Sequence, residues 1–349
     1  MTTKISQPSE DALKEAADLL KGGQLVAFPT ETVYGLGANA LDARAVLGIF
    51  EAKGRPADNP LIVHIHERGQ LEGICRAPEA AQRLMDAFWP GPLTLIMPRR
   101  ASIPDAVTAG LDTVAVRMPS HPVARRLLEA CGLPIAAPSA NRSGRPSPTA
   151  ARHVLDDMDG RIPLILDGGD CDVGLESTVV DTSHDVPCIL RPGGVTQAML
   201  EAVLGPVTVA GSVLRALQPG EVALSPGMRY KHYAPTGQVT LVEGDEARVI
   251  AALRALHHRA VEAGQRACVM CFTEHVPALA DCLPHDIGSK DAPAEVAHRL
   301  FDTLRRLDDE GMDAIFSEVM PPEGVGLAVM NRLGRAAGFR SVRAEDALG

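Results

Sequence analysis

Residues 25–40 read LVAFPTETVYGLGANA, and whether this stretch is a dinucleotide-binding turn decides what kind of α/β protein follows. GLGANA (35–40) fits the G-x-G-x-x-A pattern. It follows LVAF, an apolar run that reads as a buried strand cut by Pro29. Two features argue against a nucleotide turn. ETVY stands between strand and glycines, and the next segment gives KGRP (53–56) where a second strand ending on an acidic residue belongs. The plainer reading is a glycine turn that lets the backbone approach a ligand or a neighbouring strand.

Outward from this stretch, Ser9 caps a helix through Leu13, Ala16, Ala17 and Leu20 that Gly22-Gly23 stops. Short apolar runs (LIVHI, LTLIM, VAVRM, LPIAA, PLILD, STVVD, CIL) then alternate with helical stretches at 43–52, 78–88 and 121–130, as far as about residue 205. The mixture predicts one α/β domain around a large twisted sheet. Near residue 209 the texture changes to AGSVLRALQPGEVALSPGMRYKHYAPTGQ, a Gly- and Pro-rich connector. Beyond it strands at 238–242, 266–272 and 313–319 alternate with helices at 245–263, 293–310 and 325–337, which implies a parallel, Rossmann-like sheet.

The 349 residues suffice for two domains, each with its own core. No stretch approaches the roughly 18 uninterrupted apolar residues of a membrane span, and MTTKISQPSEDAL resembles neither a secretory signal nor a transit peptide, so a cytoplasmic protein is expected. Seven cysteines, an odd number, are expected to be reduced thiols. The net charge is -10, with 25 acidic against 19 basic residues in 1–211 and 19 against 15 in the remainder. That balance excludes the overall positive charge of a tight nucleic-acid binder, so any anion site must be local.

The local candidates are four. KGRP sets Lys53 and Arg55 two apart at a helix end that leads into the strand LIVHIH, where alternation points His64 and His66 to one side. PSANRSGRPSPTA (138–150) is dense in hydroxyls and amides and follows a strand end, where ligand sites open in α/β sheets. DGGDCDVGLESTVVD (167–181), followed by RPGG (191–194), offers backbone amides and hydroxyls to a carboxylate or phosphate. RYKHY (229–233) gathers aromatic and cationic groups suited to a lid over a purine and its phosphates. Metal sites are not expected. His64 and His66 lack a third ligand at an obvious spacing, and Cys268 and Cys271, with His275, Cys282 and His285 downstream, sit in an apolar strand that sends the two cysteines to opposite faces.

FPTETVYGLG, KGRP, DNPLIVHI, WPGPLT, VAVRMP, PSAN, STVVD, RPGG and SPGMRYKHYAP, in this order, resemble the two-domain L-threonylcarbamoyladenylate synthases. The resemblance implies an α/β architecture: a YrdC-like catalytic domain (1–208) with a large twisted mixed sheet and an open cavity. A linker (209–237) acts as lid, and a smaller Rossmann-like domain (238–349) follows. It implies a nucleotidyltransferase that converts L-threonine, bicarbonate or carbon dioxide, and ATP to threonylcarbamoyl-adenylate and pyrophosphate. Mg²⁺ would come with the ATP, and downstream tRNA threonylcarbamoyl-transferase proteins would use the product on tRNAs reading ANN codons, with direct tRNA binding weak or absent. By the same resemblance Lys53, Arg55, Ser139 and Asn141 are the catalytic signature. Thr32, His64, Arg117, Ala137 and Ser177 would hold threonine, and Arg55, Asn59, Thr113, Ser139, Ser147, Arg191 and Tyr230 would line the nucleotide side. No general base is evident. A non-catalytic RNA-binding module of the same fold is the alternative, against which the acidic balance speaks. Carbamoyl transfer in metalloenzyme maturation also uses YrdC-like domains, normally with acylphosphatase and zinc-finger segments that do not occur in this sequence.

Overall fold

The computed structural model describes residues 2–215 and 233–349, so the RYKHY segment up to residue 232, with Tyr230, lies outside the described residues. The chain forms two compact units, the first built mainly from residues up to Ser143 and from Ser147–Val213, the second mainly from residues 233–349.

Strands of the first unit are short. They are β1 (Lys4–Ser6), β2 (Val26–Phe28), β3 (Gly35–Asn39), β4 (Ile62–His64), β5 (Leu93–Pro98) and β6 (Thr113–Arg117), then β7 (Ile135–Ala136), β8 (Leu164–Leu166), β9 (Thr178–Asp181), β10 (Cys188–Arg191) and β11 (Thr208–Val209). They join one mixed 11-stranded sheet in the order β1-β8-β2-β3-β7-β4-β6-β5-β9-β10-β11. GLGANA is therefore not a turn: its glycines lie in β3, antiparallel to β2 and β7. The close approach expected of them is nonetheless present. A Cβ on Gly37 would stand 2.8 Å from Phe28 and 2.9 Å from Ile135, too near for any side chain there.

Helix limits follow the local chemistry. Ser9 Oγ accepts from Ala12 N at the start of the helix Glu10–Lys21, and Asp42 accepts from Arg44 N and Ala45 N at the start of Ala43–Lys53. The second helix ends on Gly54 at φ 61°. Gly54 N donates to Glu51 O and Arg55 N to Phe50 O, the paired bonds of a Schellman cap.

One face of the sheet is covered by the helices Ala43–Lys53, Glu79–Phe88 and Gln197–Leu204, over a core that includes Val63, Leu95, Val116 and Val180. On the other face the helices Glu10–Lys21 and Pro122–Cys131 cover Val26, Phe28, Ile135, Leu164 and Leu166. The central strands of that same face carry only the small apolar cluster Ile62, Ile96, Ala115, Val179 and Leu190. Among the described residues no helix contributes to this cluster, and it forms the floor on which the site is built.

In the second unit β12 (Gln238–Glu243), β13 (Ala267–Cys271), β14 (Pro284–Asp286), β15 (Ala314–Glu318) and β16 (Ser341–Arg343) form an all-parallel sheet, order β14-β13-β15-β12-β16. The helices Glu246–Glu262, Pro293–Asp309 and Val325–Ala336 supply the crossovers, giving the expected Rossmann-like arrangement. Among the described residues no helix is long and apolar enough to cross a membrane.

Candidate active site

The left-handed Gly54 turns the chain sharply after Lys53, the last residue of its helix, and divides the tasks of the two cations. Arg55 lies over the Phe50 ring at 5.7 Å, and its Nη2 donates to Asn59 O at 3.3 Å. Lys53 is only 4% exposed. Its Nζ donates to Ser139 O at 2.5 Å and to Asn141 O at 2.6 Å, with Asn141 Oδ1 at 3.5 Å, and Lys53 O accepts from Ser143 N. The K-x-R and S-x-N elements, far apart in sequence, are thus joined through one ammonium.

The loop that Lys53 grips is fastened from its other side as well. Leu36 N donates to Pro138 O, Ala140 N to Tyr34 O and Tyr34 N to Pro148 O, while Gly35 and Ser139 form an isolated antiparallel bridge. Val173 N donates to Glu31 O and Cys171 N to Thr149 O, which draws in the glycine-rich loop. Three loops distant in sequence therefore become one rim.

Strand register sets a row, polar but for Val179, across the face that bears the small apolar cluster. His64 pairs with Arg117, Arg117 with Thr94, Thr94 with Val179 and Val179 with Arg191, one pleat above the apolar floor of Ile62, Ala115 and Ile96. Arg117 Nη1 donates to Thr32 Oγ1 at 2.8 Å and its Nε to Gly91 O at 3.2 Å. Its Nη2 lies 2.7 Å from Glu31 Oε1. That contact is an ion pair held by charge, since Nη2 and both Glu31 oxygens lack an aligned hydrogen-bond partner. Ser177 Oγ is 2.7 Å from Thr94 Oγ1 and accepts from Arg191 Nη2 at 3.1 Å; Arg191 Nε donates to Ser177 O.

Electrostatics follow from burial. Burial alone would raise the Glu31 carboxyl, but the charge of Arg117 overcomes it and holds Glu31 below the usual carboxylate value. The His64 ring meets Phe28 edge-on at 6.2 Å, and its Nδ1 has no hydrogen-bond partner among the described residues. Burial, reinforced by the Arg117 charge, pulls His64 down to about 3 from 6.5, so its imidazole is neutral.

Consequently the unfolded chain takes up a proton at His64 below 6.5 that the folded protein refuses until about pH 3, and stability falls as pH is lowered through that window. Substituting His64→Gln should remove about 1.4 kcal/mol per pH unit from the acid limb. Urea midpoints measured from about pH 7 to about pH 4 should converge for the two proteins; parallel curves would contradict a neutral His64.

The remaining expected residues fall around the same rim. Asn59 is buried beside Arg55, and Thr113 begins β6 opposite Pro98. Ala137, buried after β7, donates its N–H to Ile62 O. Ser147 Oγ donates to Glu176 Oε1 at 2.5 Å. β4 ends at His64, so the strand alternation expected to align His66 with it does not extend that far, and His66 Nε2 lies 3.8 Å from Glu67 Oε1. Sequence reasoning did not single out Glu31, Thr94 and Glu176. Glu31, between the threonines of PTET, carries the only sequence signal, a carboxylate inside an otherwise apolar and hydroxyl-bearing run.

Comparison with known proteins gives a consistent result. The family model described as telomere recombination, covering Sua5, YciO and YrdC proteins, matches residues 18–193. The model for the threonylcarbamoyl-AMP synthase C-terminal domain matches residues 195–338. A Bacillus subtilis threonylcarbamoyl-AMP synthase is 48% identical over 96% of this chain and 95% of its own length, and one from Pyrococcus abyssi is 47% identical over 95% of each. The solved structure of P. abyssi Sua5 complexed with L-threonine superposes with a TM-score of 0.91 at 45% identity, covering 98% of both chains. These matches, over nearly the whole of this chain, define an enzyme of the nucleotidyl-transferring class. More narrowly, the chain belongs to the threonylcarbamoyl-AMP synthase family.

Proposed function

We propose that the uncovered face binds L-threonine and the rim binds ATP, and that the protein joins them through carbon dioxide to give threonylcarbamoyl-AMP and pyrophosphate. The observation that carries this reading is the Lys53 clamp. It sets the Ser139–Asn141 loop and the Arg55 turn together at the edge of a face bearing a buried guanidinium, a neutral imidazole and paired hydroxyls. Threonine's amine captures carbon dioxide and releases a proton, and a carbamate oxygen then attacks the α-phosphorus as pyrophosphate leaves. The carbamate is short-lived in water, which suits a recess lined by buried groups.

Each part has a task in this scheme. Thr32, His64, Arg117, Ala137 and Ser177 form the threonine side, where the His64 Nδ1 and the Glu31 carboxylate, itself paired with Arg117, would accept from an amino acid's hydroxyl and ammonium groups. Asn59, Thr113, Ser139, Ser147 and Arg191 form the nucleotide side. Mg²⁺ belongs with the triphosphate as substrate, and the oxygen-rich nucleotide side, with Ser147 Oγ against Glu176, suits a hard cation. Arg55 answers the charge that grows on the leaving pyrophosphate, and Lys53 holds the loop that faces it. The reading further places the protein in the cytoplasm, its product passing to tRNA threonylcarbamoyl-transferase proteins without strong direct contact with tRNA.

Pyrophosphate release by the purified chain should depend jointly on threonine and bicarbonate. Arg55→Ala should lower its kcat about 10²-fold with the urea midpoint nearly unchanged. Release that is indifferent to threonine, or an Arg55→Ala protein as fast as the parent, would overturn the assignment.

A further inference from the structure

Cys268 and Cys271, the pair whose spacing draws attention, do lie on different faces of β13, and burial pushes both thiols up to about 12. A different group of metal-ligating side chains converges in the same unit, and nothing in the adenylation scheme uses it. The helix Glu246–Glu262 carries His257 and His258, and the turn entering β14 brings Cys282 against them. One nitrogen of each imidazole and the Cys282 Sγ all lie within 4.8 Å of one another.

The surroundings of each donor match what a metal requires. His257 is 6% exposed, and its Nδ1 has no hydrogen-bond partner among the described residues. The Ala267 carbonyl is its one backbone partner. The His258 Nε2 lies 3.2 Å from Asp281 Oδ2, which leaves its other ring nitrogen for a ligand. A metal-bound histidine ordinarily gives its second nitrogen to a carbonyl or a carboxylate, and these two rings have one of each. Cys282 is fully buried in the apolar cluster of the second unit and has the two imidazoles beside it, and the two rings stand 5.6 Å apart, edge to face.

We propose that His257, His258 and Cys282 form a binding site for a first-row transition-metal dication, with Zn²⁺ the best match. Asp281 acts as the outer carboxylate that orients His258, and the half-exposed side of His258 leaves a fourth position for water. Two imidazoles and a thiolate make a nitrogen and sulfur set that suits zinc and excludes the oxygen-seeking Mg²⁺ and Ca²⁺. Binding forms a metal–sulfur bond and releases the Cys282 proton to solvent, so affinity rises with pH. Physically the ion ties the helix Glu246–Glu262 to the turn before β14, two segments otherwise joined here through Arg254, whose Nε lies 3.3 Å from Asp281 Oδ2, and through the His258–Asp281 pair.

The test uses the full chain, reduced and stripped with a chelator, titrated with Co²⁺ and then with Zn²⁺. One equivalent of Co²⁺ should bind with near-ultraviolet thiolate-to-cobalt absorption, and Zn²⁺ should displace it and raise Tm. Cys282→Ala should abolish the sulfur band. His258→Gln, at a half-exposed position that does not endanger folding, should weaken Co²⁺ binding roughly tenfold or more. Absence of stoichiometric binding would overturn the proposal. So would a sulfur band that survives Cys282→Ala, since another of the seven cysteines would then be its source, or a Co²⁺ affinity untouched by His258→Gln.

Discussion

Lys53→Ala should lower the kcat for pyrophosphate release by about 10³ and should also loosen the 139–143 loop, an effect a simple counter-ion would not produce. The ammonium grips Ser139 O and Asn141 O at hydrogen-bonding distance inside a site that is nearly closed to water. Its removal strands one buried and one half-buried carbonyl, at up to about 1–3 kcal/mol each, unless the loop moves to find water. Movement is the cheaper course, and it displaces Ser139 and Asn141 from the positions the proposed reaction requires of them.

Two substitutions separate anchoring from charge. Lys53→Arg keeps the charge, but a planar guanidinium cannot present converging protons to the same two carbonyls in the space of a terminal ammonium. Anchoring therefore predicts that Lys53→Arg fails almost as badly as alanine, and that amide hydrogen exchange speeds up at residues 139–143 in both variants. Pure charge compensation predicts rescue by arginine and unaltered exchange. Rescue with a protected loop would remove the clamp from the explanation.

The clamp also shows where sequence reading stops. The capped first helix was legible, because Ser9 acts on its immediate neighbours, and the parallel second sheet was legible from alternation over strands of five or six residues. Strands β7, β14 and β16 are two or three residues long, too short to display a period, and the adjacency of β2 to β8 depends on residues more than a hundred positions apart. GLGANA misled because glycine is read locally as a turn, whereas Gly37 is required by Phe28 and Ile135 on either side. The motif residues of the site were recognisable one by one. What Lys53 touches was not, because its acceptors are main-chain atoms of a loop 86 to 88 residues away, and a carbonyl leaves no mark in a sequence. Glu31 escaped notice for a related reason: its importance lies in facing Arg117 across the fold.

That pairing supports the second large effect. Arg117→Ala should destabilise the protein by about 3–5 kcal/mol at neutral pH, because it leaves the Glu31 charge buried without its partner, and should abolish measurable synthesis. Glu31→Gln in the same background should recover a substantial part of the lost stability, although it cannot restore the Arg117 bonds to Thr32 and Gly91. The sign of the pH dependence distinguishes this from a packing defect. In the parent the Glu31 carboxyl is held low, so its contribution is present above the ordinary carboxylate value and is lost as pH falls through the depressed one. Without Arg117, burial, the largest influence, is opposed only by the backbone amides of Glu31 and Ser120 and raises that value above the unfolded one; the carboxyl of the variant then favours folding when protonated and opposes it as pH rises. The stability gap between parent and Arg117→Ala should therefore narrow on acidification and close further in the Glu31→Gln background. A gap constant with pH would mean that the loss comes from the vacated volume, and that the buried ion pair does not organise this face.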